Sequence, residues 1–139
     1  MKKPTISGNK IIVPSDPEYL NDVDVFIEGI LRGYGADESI IADIAISVSE
    51  LVNNAMLHGN NSEINKAVEV SIDNKNNKVE IVIYDNGAGF NPDDIDNPLD
   101  DSNLLKEVGR GIFIVKSLMD SVNIESTSQG TKVTIEKAI

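Results

Sequence analysis

Apolar residues along the chain fall into two rhythms, and the changes between them mark out the elements. Ile11-Ile12-Val13 is a short β-branched run and predicts an opening strand. Ser15-Asp16-Pro17-Glu18 follows, with a capping residue, then proline, then an acid, which is how helices begin. Leu20, Val23, Phe26, Ile27, Ile30 and Leu31 recur at helical spacing until Gly33 and Gly35 end the pattern. A second helix is capped by Asp37 or Ser39, and its apolar stripe is Ile41, Ile44, Ala45, Val48, Val52 and Ala55. Gly59-Asn60-Asn61 stops it.

The rhythm then shifts to alternation. Val68, Val70 and Ile72, then Val79, Ile81 and Ile83, predict a β-hairpin turning at 73–77. Residues 85–108 show little periodicity and read as a functional loop, with one short helical turn at Leu104-Leu105-Lys106. Ile112, Val115, Leu118 and Met119 predict a third amphipathic helix beginning at Gly111. Val122 and Ile124, then Val133 and Ile135, close the chain as a second hairpin around Gln129-Gly130. This order predicts an α+β fold: a two-layer α/β sandwich with a mostly antiparallel sheet covered on one face by three main helices. The 139 residues make a single domain, 1–139, with no repeat or linker.

Composition narrows the chemistry. At 40% hydrophobic and 25% charged the chain is globular. Its 12 basic and 23 acidic residues leave a net charge of −11, which argues against direct nucleic-acid binding. The absence of Cys removes thiolate chemistry, and a single His removes multi-histidine metal sites. No long apolar run is apparent, so the expectation is no membrane span, no signal peptide and a cytoplasmic location.

Three stretches can carry chemistry. On the second helix Glu50 and Asn54 are one turn apart, nearly opposite the apolar stripe, with His58 a further turn on. An ionised carboxylate can take a proton from a hydroxyl, and a carboxamide oxygen suits Mg²⁺. Taken alone this is an ordinary solvated face, although two successive asparagines are poor helix formers. Next, Asp85-Asn86-Gly87-Ala88-Gly89-Phe90 ends a strand without leading into a partner strand. Its glycines let a ligand approach the backbone, and Asp85 can accept from an amino group. Third, Gly109-Arg110-Gly111 leads into the third predicted helix, where free N–H groups and a guanidinium favour phosphate.

Together these stretches resemble a known family. Glu50-x-x-x-Asn54-Ala55-x-x-His58 looks like the N box of the gyrase/histidine-kinase ATPase superfamily, whose fold is called Bergerat. Asp85-x-Gly87-x-Gly89, Gly109-x-Gly111 and Gly130-Thr131 resemble its glycine boxes, in matching order and spacing over Ile11 to Lys137. Within it the chain is most similar to the stand-alone anti-sigma factor serine/threonine kinases.

The resemblance implies ATP and Mg²⁺ as cofactors and 91–108 as an ATP lid. It implies Glu50 as the base on the acceptor hydroxyl, Asn54 as the Mg²⁺ ligand, Asp85 as acceptor from the adenine amino group, and Gly87 and Gly89 as shaping the adenine pocket. Gly109, Arg110 and Gly111 would lie against the phosphates, Thr131 would support the adenine site, and Lys106 or Arg110 would meet the γ-phosphate. The implied partners are a sigma factor, which the protein sequesters, and a small anti-sigma-factor antagonist, which it phosphorylates; the implied state is a homodimer. Two other classes fit the same motifs: a nucleotide-binding module that captures a partner without phosphorylating it, and a detached histidine-kinase catalytic domain.

Overall fold

A computed structural model describes residues 3–86 and 103–139, with residues 103–108 described by their backbone alone. The elements in order are β1 (Thr5–Ser7), β2 (Lys10–Pro14), α1 (Leu20–Gly33), α2 (Glu38–Asn54), β3 (Ala67–Lys75), β4 (Lys78–Asp85), α3 (Asn103–Leu118), β5 (Ser121–Thr127) and β6 (Gly130–Ala138). They form one six-stranded sheet in the order β1-β2-β3-β4-β6-β5. Every neighbouring pair is antiparallel, as the alternating patterns predict.

The core is built from the residues that set the rhythm. Ile11, Val13, Val68, Val70, Ile72, Val79, Ile81, Ile83, Val133 and Ile135 point from the sheet into one cluster. Val23, Ile27 and Leu31 of α1, Ile44, Val48 and Val52 of α2, and Ile112 and Val115 of α3 meet them there. Burial of such side chains is worth roughly 1.5–3 kcal/mol each before conformational entropy is subtracted. The strands' other face carries the ion pairs Lys10–Glu69, Lys75–Glu80 and Lys78–Glu136. The α+β sandwich is therefore as expected.

Local signals act largely as read. Asp16 accepts from the Glu18 amide at 3.0 Å and caps the single turn Pro17–Tyr19 that feeds α1. Gly35, at φ +81°, ends that helix in a left-handed conformation suited to glycine. Asp37 occupies the cap position of α2 but bonds the Ser39 hydroxyl at 3.0 Å instead of a helix amide. Asn76 and Asn77, at φ 56° and 62°, make the two-residue turn between β3 and β4.

Three expectations change. The chain opens with a hairpin, because Thr5–Ser7 pairs with β2; its one apolar residue, Ile6, is exposed and gives no alternating pattern. α2 together with the turn that follows it, Glu38–Gly59, is 22 residues long and by length and composition alone could cross a membrane. Half of its most apolar window is buried inside the protein, as befits the central helix of a sandwich.

The largest change concerns α3. It starts at Asn103, not Gly111, and runs through both glycines. Leu104, Leu105, Lys106 and Glu107 are good helix formers, and each glycine costs only about 1 kcal/mol relative to alanine. The packing of Ile112, Val115 and Met119 into the core offsets that cost. The lid expected at 91–108 thus overlaps the start of α3, and its part at 91–102 lies outside the described residues.

Candidate functional site

Past Asn54, α2 widens into a π-helical turn, Ala55–Gly59, closed by the Asn60 amide donating to Ala55 O at 2.7 Å. Such turns are rare and concentrate at functional positions. This one presses Gly59 against the Asp85 carboxylate, in space that a β-carbon would fill. Asp85 is the last residue of β4 and is paired across the sheet with Thr131 of β6. Both are buried, at 4% and 1% exposure, although both are polar. Gly130, just before Thr131, passes so close to the Asp85 carbonyl that a β-carbon there would overlap it.

Asp85, Thr131 and Asn54 line one small cavity with Leu51, Ala55, Ile83, Ile112 and Val133. It has room for about 10 Å³, roughly one water. Two of its polar atoms, Asn54 Nδ2 and Thr131 Oγ1, are buried with no hydrogen-bond partner among the described residues. Leaving a buried polar group unsatisfied costs on the order of 1–3 kcal/mol, so such orphans mark a place built for a polar ligand. An apolar slot with an acid and a hydroxyl at its base suits the edge of a purine, and it must widen to admit one.

A second, open cleft of about 450 Å³ adjoins it, lined by Glu50, Asn53, Asn54, Leu57, His58, Arg110, Gly111 and Ile114. Here α3 crosses α2 over Gly111. A β-carbon at Gly111 would stand 3.1 Å from both Glu50 Oε2 and Asn54 Nδ2. The face that read as solvated is therefore covered: Asn54 is 7% exposed, while Glu50 is half-buried at the rim and Arg110 is exposed. On the other side of Glu50, a groove of about 280 Å³ holds Asp24, Ala45, Ile46 and Ser49. Burial, and then the nearby Glu28 charge, push the Asp24 carboxyl above its ordinary range.

The structure thus brings together Glu50, Asn54, Arg110 and Gly111 in one cleft, and Asn54, Asp85 and Thr131 in the adjoining cavity. Gly109 lies on the same helix but lines neither, and Gly87 and Gly89 lie outside the described residues. One expectation is overturned. The amides of Gly109, Arg110 and Gly111 lie inside α3, bonded within the helix, and so do not form a free helix N-terminus for phosphate. What Gly111 contributes is the close approach of the two helices. The apolar lining was not singled out beforehand. Ile83 and Val133 lie two residues from Asp85 and Thr131 on the same strand faces, a signal the alternation already contained.

The chain matches a known family in sequence and known structures in shape. The family model described as histidine kinase-like ATPase domain matches residues 13–137. The chain belongs to the histidine kinase-like ATPase family. Relatives at about three-tenths identity are named serine-protein kinase RsbW. The one from Bacillus velezensis is 30% identical over 131 residues, covering 90% of this chain and 81% of its own. One from Staphylococcus aureus is 31% identical over 137 residues, covering 91% and 84%.

Among solved structures, the RsbU and RsbW domains of a Mycobacterium tuberculosis protein superpose with a TM-score of 0.70 at 21% identity. That match covers 99% of this chain, which spans 32% of the other. A blue-light activated histidine kinase from Erythrobacter litoralis gives a TM-score of 0.56 at 20% identity, over 90% of this chain and 61% of that one. Both likenesses support the ATPase fold, and membership of the family implies the use of ATP.

The closeness of Gly130 to Asp85 carries a prediction. Gly130→Ala is expected to destabilise the protein by about 1–3 kcal/mol, because the overlap is with backbone that no side-chain rotation relieves. Urea unfolding measures it, and a midpoint unchanged from wild type would show that the β4–β6 ends are not held as described.

Proposed function

We propose that this protein is an ATP-dependent serine/threonine protein kinase and anti-sigma factor, acting in the cytoplasm as a homodimer. It phosphorylates a small anti-sigma-factor antagonist and, in its other partner state, sequesters a sigma factor. The observation that carries the catalytic part is the meeting of Glu50, Asn54 and Arg110 in one open cleft beside a buried, largely apolar slot. RsbW relatives named as serine-protein kinases support the kinase reading. In it, residues 1–139 act as one ATPase domain with 91–108 as its lid.

In this reading adenine enters the slot, with its amino group donating to Asp85 and Thr131 supporting the ring; Gly87 and Gly89 shape the approach. The phosphates extend into the cleft beside Arg110 and Gly111, with Gly109 one residue earlier on the same helix. The orphaned carboxamide of Asn54 fits a divalent ion, because a half-turn of the amide puts its oxygen where the unpartnered nitrogen lies. Mg²⁺ bound there would add positive charge to that of Arg110, in a chain whose net charge is −11. Glu50 takes the proton from the acceptor hydroxyl. The hydroxyl oxygen then bonds to the γ-phosphorus as the bond to the β-phosphate oxygen breaks, and ADP leaves. Phosphoryl transfer of this kind rests mainly on positioning and electrostatics.

The test is incubation with ATP labelled on the γ-phosphate, Mg²⁺ and a small antagonist protein bearing a candidate serine. Label appearing on that serine is expected. Tight ATP binding and partner capture with no label would instead favour a binding module without kinase activity.

A further inference from the structure

Asn60 ends the π turn and is fully buried, and its carboxamide is used at both ends. Nδ2 donates to Ser15 Oγ at 2.9 Å and to Ala67 O at 3.0 Å. Oδ1 accepts from the Asn86 amide at 3.0 Å. Ser15 in turn donates to Lys66 O at 2.6 Å. One side chain thus ties together the residue after β2, the first residue of β3 and the residue after β4.

The last of these links bears on the site. Asp85 closes the β4 ladder, pairing with Val68 on one side and Thr131 on the other. Asn86 is the first residue beyond that ladder, and a side chain, not a neighbouring strand, supplies the acceptor for its amide. The residue before Asn60, Gly59, packs on the Asp85 carboxylate. The last residue of the π turn and the one that caps it therefore hold Asp85 at two points: Gly59 against its carboxylate and Asn60 on the backbone just past it. Among side chains, a carboxamide both donates and accepts at this length. Aspartate keeps only the acceptor, and leucine keeps neither.

We propose that Asn60 is a positioning residue for the nucleotide base, holding Asp85 in register with the purine edge through the amide of Asn86. This rests on the reading of Asp85 as the acceptor from the adenine amino group. The scaffold bonds to Ser15 and Ala67 and the site bond to Asn86 leave from different atoms of Asn60, so substitutions separate them.

The experiment compares ATP and GTP affinity by calorimetry, transfer rate at saturating ATP, and thermal unfolding, in wild type, Asn60→Leu, Asn60→Asp and Ser15→Ala. All three variants are expected to unfold at lower temperature. Asn60→Leu is expected to narrow the ATP-over-GTP preference by about tenfold, since a site built to bond a particular edge loses discrimination when that bond is misplaced. Its transfer rate at saturation stays near wild type. Asn60→Asp, which still accepts from Asn86, keeps the preference, and so does Ser15→Ala.

A wild-type preference in Asn60→Leu would overturn the proposal, as would an equal loss in Ser15→Ala. If Asn60→Leu does not fold, Asn60→Ser, whose hydroxyl is too short to span to Asn86, takes its place with the same expected loss and the same overturning result. A wild-type protein that binds ATP and GTP alike would overturn the adenine reading of Asp85 and this proposal with it. Preference retained by the Leu or Ser variant would overturn this proposal alone.

Discussion

Glu50→Ala is expected to lower phosphoryl transfer to the antagonist by about 10²- to 10⁴-fold, the range for losing a general base, while ATP affinity stays within about twofold of wild type. Glu50 stands at the rim of the open cleft, half-buried, with Asn54 and Gly111 behind it and Arg110 alongside. It also borders the groove formed with Asp24, Ala45, Ile46 and Ser49 on its other side. It is therefore reachable from outside, as the base for a hydroxyl carried by another protein must be. It is not among the residues lining the buried slot, so its loss leaves the base-binding part of the site intact. Glu50→Gln keeps the shape and removes the basicity, and it is expected to fall as far as alanine. Single-turnover transfer and calorimetry measure the two quantities. A Gln variant with wild-type transfer would remove Glu50 from the chemistry.

The second large effect is at Asn54, with a different signature. Asn54→Ala is expected to weaken Mg²⁺-ATP binding by at least about 100-fold, at or beyond the upper end of what residues merely supporting a metal ligand contribute. It is also expected to abolish the dependence of ATP affinity on Mg²⁺. Among the described residues, Asn54 is the one predicted site residue that lines both the slot and the cleft, and its amide nitrogen is buried with no partner among them. Alanine removes that orphan, so the variant is expected to unfold no more readily than wild type. Weaker binding without lower stability is the opposite of ordinary core damage. Calorimetric titration with and without Mg²⁺, beside urea unfolding, separates the two. A variant that keeps Mg²⁺-dependent ATP affinity would rule out the metal assignment.

The sandwich was legible because its core positions repeat. Alternation in 68–72, 79–83, 122–124 and 133–135 sets the strands, and three-and-four spacing sets the helices. The convergence of Glu50, Asn54, Asp85, Arg110 and Thr131 was legible only through the joint motifs, since each residue alone has a bland reading. Burial of Asn54 was hidden because it depends on α3 crossing α2 at Gly111, and periodicity within one helix says nothing about what lies across it. The start of α3 was not legible for a physical reason: two glycines set a helix boundary by propensity alone, but they cost less than the packing of Ile112, Val115 and Met119 returns. The role of Asn60 was hidden as well. As a helix-ending residue it was already explained locally, and its three bonds reach residues 15, 67 and 86.

The pairing of Asp85 with Thr131 also constrains how this sequence can drift. Side chains alternate faces along β6, so the residue opposite Asp85 is decided by a count of positions and not by any contact it makes itself. That count is kept at the β5–β6 hairpin, where the Thr127 hydroxyl accepts from the Gln129 amide and donates to Gly130 O. A residue added at 128–129 and absorbed within the bend leaves the address of Thr131 unchanged. The same insertion passed on into the strand would move Thr131 opposite Tyr84 and leave Gly130, with no side chain, to face Asp85. A surface turn of no chemical interest thus acts as a ruler for the buried slot. Length changes there are expected to be rarer than changes of residue type.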